Sequence, residues 1–150
     1  MYVLALDDTV QKFPYTLSEL RFDNPNVSFP SELSDDLLAQ WNVHPVREKT
    51  APTFDFATQN CRMINPALLN GQWTQQWEVT PATSSEIAER TTQQSNGVRS
   101  DRNQRLAACD WTQLPDAPVD RPLWASYRQN LRDVTSQPGF PWNITWPIEP

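Results

Sequence analysis

Glycine, cysteine and histidine are nearly missing from this chain, and each scarcity closes off a class of chemistry. Three Gly among 150 residues, at 71, 97 and 139, cannot build a phosphate-cradling loop. Cys61 and Cys109 fit neither a CxxC pair nor a zinc-ligand spacing, so two thiols are expected, with a disulfide as the alternative. The single His44 sits between Val43 and Pro45 with no Ser or Cys nucleophile beside it. Asp7-Asp8 suits a turn and Asp35-Asp36 a helix start, and neither pair carries the further oxygen ligands of a calcium loop. We therefore expect no enzyme, no catalytic residue, no metal and no cofactor.

Bases are also scarce: 12 against 18 acids, a net charge of -6 and a pI near 4.6. Nucleic-acid binding needs clustered cations, so it is not expected. Arg90, Arg99, Arg102 and Arg105 fall close together, but Glu86, Glu89 and Asp101 interrupt them, and a solvated helix face is expected. No run approaches the roughly 18 apolar residues of a membrane span. The opening MYVLALDDTV lacks the basic start of a secretory signal, so neither membrane insertion nor export is expected.

Proline and aromatic residues are abundant instead, with fourteen Pro, seven Trp and six Phe. Hydrophobic content is only 38% and mean hydropathy is -0.64. The core must be small and lean on aromatics, each of which removes roughly 150–250 Å² from water.

Along the chain, YVLALDDTVQKF reads as a tight hairpin, and Thr16 with Glu19 as a capping box for a short helix ending before Asn24-Pro25. Phe29 anchors the following connector. Ser34 caps a second short helix, with Leu33 stapled to Leu38, an apolar face of Leu37, Leu38 and Trp41, and a left-handed exit at Asn42. The stretch from Val43 to Phe56 is an edge strand or extended arm. Asn70-Gly71 predicts a type I′ hairpin in which Leu69 faces Gln72, Leu68 faces Trp73 and Ile64 faces Trp77. That register puts Trp73, Gln75, Trp77 and Val79 on one face and gathers Leu68, Ile64 and both Trp in one cluster.

Beyond Pro81 the chain turns polar. Thr83 and Glu86 cap a helix whose middle, around Thr91, Thr92 and Gly97, has poor propensity and predicts a kink or outside support. Residues 106–133 read as a helical hairpin turned by Pro115 and Pro118. Its second helix starts near Pro122 and aligns Leu123, Tyr127 and Leu131, with Trp124 beside them. An extended tail of Phe140, Trp142 and Trp146 closes over it. The expected class is thus α+β. A small antiparallel β part with two short helices spans 1–81, a polar connecting helix 82–105, and an aromatic, Pro-rich helical hairpin with its tail 106–150.

Trp111, Leu114, Trp124, Tyr127, Phe140, Trp142 and Trp146 are the candidate protein-interaction residues. Trp and Tyr concentrate at interface hot spots, and a Pro-rich tail docks at little entropic cost. Against that stands ordinary core packing, favoured for Trp111, Trp124 and Tyr127 and evenly matched for Trp142 and Trp146.

RNQRLAACDWTQLPDAP, WASYRQNLRDV and QPGFPWNITWP closely resemble the C-terminal module of the bacteriophage tail assembly chaperone family, whose members are also described as tail fibre assembly proteins. The resemblance covers residues 99–150, and KFPYTLSELRFDNPNVSFP is similar to the N-terminal part of phage proteins carrying that module. It implies a non-enzymatic protein of the virion tail that is in the host cytoplasm during assembly. Its implied partners are tail, baseplate or tail-fibre proteins, or a second copy of itself. A permanent virion component is the first expectation, and a transient assembly chaperone absent from the finished particle the alternative.

Overall fold

In a computed structural model describing residues 1–150, two left-handed turns set the N-terminal architecture. β1 (Tyr2–Leu6) and β2 (Thr9–Tyr15) are joined through Asp7 and Asp8, at φ 47° and 60°. Positive φ at both central residues is what a type I′ hairpin turn requires, and Asp tolerates it because its side chain can bond locally. α1 (Leu17–Asp23) starts from the Thr16–Glu19 capping box, and α2 (Asp35–Gln40) from Ser34. Asn42, at φ 58°, turns the chain into β3 (Val43–Pro45), an edge strand of a sheet ordered β2-β1-β3.

This sheet carries an apolar cluster on each face, which the alternation of β1 explains. Tyr2 and Leu4 face a cluster of Tyr15, Leu20, Leu38 and Val43, joined by Leu33, Trp41 and the Phe29 anchor. Phe29 meets Trp41 edge-on at 5.2 Å. Val3 and Ala5 face Val46 and Trp73, with Val10, Phe13 and Leu68 around them.

β4 (Gln59–Leu69) and β5 (Gln72–Pro81) form a second antiparallel sheet, turned by Asn70 and Gly71 at φ 51° and 77°. The register near the turn is as expected: Leu69 faces Gln72 and Leu68 faces Trp73. Farther out it shifts by one. Ile64 faces Gln76, and Met63 faces Trp77, because a bulge lies between Ile64 and Ala67. Pro66, buried and without an N–H to give the ladder, sits in that bulge. The predicted four-residue cluster is therefore corrected. Leu68 and Trp73 share a core, Ile64 is exposed, and Trp77 donates its Nε1–H to the Lys49 carbonyl at 2.7 Å.

The polar segment forms one uninterrupted helix, α3 (Ser84–Ala108), with no break at Gly97. It thus absorbs the expected first arm of the hairpin. The Thr91 and Thr92 hydroxyls donate back to the Ile87 and Ala88 carbonyls, at 2.7 and 2.8 Å, so both are satisfied within the helix. A 3-10 turn (Asp110–Gln113) leads to α4 (Arg121–Asp133), capped by Asp120. The tail is not extended at first: turns hold residues 137–142, and Trp142 and Asn143 both donate to the Gly139 carbonyl.

The class is α+β, as the sequence implied. The chain forms two compact units, residues 1–55 with 59–81, and residues 56–58 with 82–150.

Candidate protein-contact face

α4 explains most of the second unit. Trp124, Tyr127, Arg128 and Leu131 are buried, an i, i+3, i+4, i+7 stripe on one helical face. Leu123, assigned to that face from four-residue spacing, is 55% exposed instead. Four residues turn a helix by more than 360°, so a strict four-residue row drifts off the core. The stripe packs with Cys109, Leu106, Val119 and Trp146.

Arg128 is the residue that sequence reasoning missed. Its Nη1 donates to the Leu106 carbonyl at 2.7 Å and to Cys109 Sγ at 3.0 Å, and its Nη2 to Asp110 Oδ1 at 2.6 Å. Burial opposes its charge, but the bonds to Asp110 and Cys109 outweigh that, and its pKa goes up. An Arg three residues before Leu131 on the apolar stripe was the available signal.

Trp124 meets Tyr127 edge-on at 5.7 Å and Trp111 in a tilted pair at 6.1 Å. Trp124 and Tyr127 lie inside this chain's own core. Trp111 does not, although core packing was favoured for it: it is 49% exposed. Leu114 is 55% exposed, and its N–H donates to the Trp111 carbonyl at 3.2 Å. Trp111, Leu114 and Leu123 thus lie exposed at the α3–α4 connection and the start of α4.

The remaining aromatics lie along α3. The Arg99 guanidinium lies over Phe140 at 5.2 Å, Arg105 over Trp146 at 4.5 Å, and Arg90 over Phe56 at 4.8 Å. Trp142 meets Phe56 edge-on at 6.4 Å. The arginine group keeps partial exposure, as a solvated face would, but three of its four members also stack on rings. These contacts support a helix that buries only Ser95 and Val98 of its own residues. Each is worth about 0.5–1 kcal/mol at such partly exposed sites.

Elsewhere the chemistry is sparse. His44 lines a cleft with Asp7, Asp8 and Gly71, its ring 6.4 Å from Trp73. No group of three or more His, Cys, Asp or Glu is placed to hold a metal ion. Cys61 and Cys109 are both free. No helix is long and apolar enough to cross a membrane.

Residues 95–150 match the family model for phage tail assembly chaperone protein. Over that segment the chain is similar to tail assembly chaperones, as the aromatic and proline motifs indicated. The match begins at Ser95, lies wholly within the second unit, and does not include residues 12–30. No curated protein and no solved structure matches the chain.

Proposed function

We propose that this chain is a non-enzymatic phage tail protein that acts in assembly by binding a tail, baseplate or tail-fibre protein, in the host cytoplasm. The observation that carries this reading is the match of residues 95–150 to the tail assembly chaperone family. The apolar side chains left exposed on the same unit give it a physical means, because exposed Trp and Leu bind other apolar surface.

Co-expression with the tail and fibre proteins of the same phage tests it. The yield of soluble, assembled partner is expected to rise, and mass spectrometry of purified particles to find the chain absent. An unchanged yield counts against the reading. Stoichiometric recovery from particles would restore the permanent virion component placed first on sequence.

A further inference from the structure

Resting on that tail-assembly reading, we infer that Trp111, Leu114 and Leu123 form a docking face for an amphipathic segment of a tail structural protein, one whose apolar anchors are flanked by Lys or Arg. The three side chains are about half exposed; the Trp111 ring rests on another ring, and the backbone under Leu114 and Leu123 is held by hydrogen bonds. Trp111 leans on buried Trp124, Leu114 is tied to the Trp111 carbonyl, and the Leu123 N–H donates to Asp120 Oδ1 at 3.2 Å. A face whose backbone is already ordered loses less entropy when it binds. Its rotamer-poor Trp suits the centre of a contact.

Charge selects the occupant. Asp110, Asp116 and Asp120 are exposed around these residues, against one exposed base, Arg121. Asp110 is paired with the buried Arg128 guanidinium at 2.6 Å, so the rim's uncompensated charge is that of Asp116 and Asp120. Arg105, on the last turn of α3, is paired with Asp101 and lies over Trp146. An acidic rim around an apolar centre attracts a basic-flanked apolar segment. A second copy meeting this face with the same face would instead set carboxylates against carboxylates.

The test uses the full chain, with the tail and tail-fibre proteins of the same phage, each purified singly, as probes. Two paired variants avoid damage to the fold: Leu114→Ala with Leu123→Ala, both exposed, and Asp116→Asn with Asp120→Asn, since Asn keeps a helix cap. Phe22→Ala, at an exposed apolar site in the other unit, is the control. The leucine pair is expected to weaken binding about tenfold or more. The asparagine pair should weaken it several-fold and flatten its salt dependence, with the control unchanged. If a tail protein binds and both pairs bind it equally well, the face is wrong while the assembly reading stands. If no tail protein binds the unaltered chain, the assembly reading fails and the inference with it. A dimer in sedimentation that the leucine pair abolishes would make a second copy the occupant and overturn the inference.

Discussion

At the scale of single residues, Arg128 and Asp110 show how unequal burial decides what an ion pair is worth. The Arg128 side chain is 9% exposed and that of Asp110 66%. Asp110→Asn keeps an oxygen to accept from Nη2 and leaves the bonds to Leu106 and Cys109, but takes the countercharge from a buried guanidinium, so it is expected to cost about 1 kcal/mol. Arg128→Met keeps the volume but loses all three bonds, to the part-buried Leu106 carbonyl, to buried Cys109 Sγ and to Asp110, and is expected to cost roughly 2 kcal/mol or more in urea unfolding. Equal losses for the two variants would contradict this account. Tyr15 provides a pH-dependent counterpart. Burial, and then its bond to Asp23 at 2.8 Å, push the phenol up to about 12. An unfolded chain releases that proton near pH 10. The Tyr15 contribution is therefore complete below pH 10 and declines as pH rises from there towards 12. Lys12 is also raised, first through its bond to Glu19, so the comparison must be with Tyr15→Phe. That variant is expected to lose stability less steeply between pH 10 and 12, and parallel curves would refute the assignment.

At the scale of elements, α3 is the informative case. Its central Gly97 has open space where a Cβ would go, whereas a Cβ on Gly139 would collide with the Asn143 carbonyl. Gly97→Ala is therefore expected to stabilise the chain by about 0.5–1 kcal/mol. Gly139→Ala should destabilise it by forcing open the turn that seats Phe140 and Trp142. Melting temperatures moving in the same direction would break this pairing. The same helix marks where the sequence was legible. Its start could be read because a capping box is local: Thr83 and Glu86 satisfy each other within one turn. The Asp7-Asp8 and Asn70-Gly71 turns were legible for the same reason, since their conformation follows from residue type. Continuity through Thr91, Thr92 and Gly97 was not, because Arg99 over Phe140 and Arg105 over Trp146 join residues some forty positions apart. The β4 bulge escaped likewise: Pro66 announces an interrupted ladder, but not which way the strand absorbs it. Arg128 was missed because a charged residue is read as surface until its partners are known. For the candidate face, residue type singled out Trp111 and Leu114, whereas the exposure of Leu123 followed only from the true phase of α4.

At the scale of the whole molecule, the two units are not separated by a single cut. Phe56–Thr58 belongs to the second unit although it precedes β4 in sequence. Arg90 covers the Phe56 ring and donates to its carbonyl at 2.8 Å, Trp142 meets that ring, and Ala82 donates to the Thr58 carbonyl at 2.9 Å. Phe56→Ala is expected to cost the C-terminal unit about 1 kcal/mol. In NMR it should move the Trp142 indole signal while leaving those of Trp73 and Trp77 in place; a response confined to the latter pair would argue against this assignment. The interleaving also constrains any transplant of the C-terminal module. A junction placed at residue 82 would leave Phe-Ala-Thr behind in the donor, so a recipient must supply its own ring for Arg90 and Trp142 or accept a loosened graft.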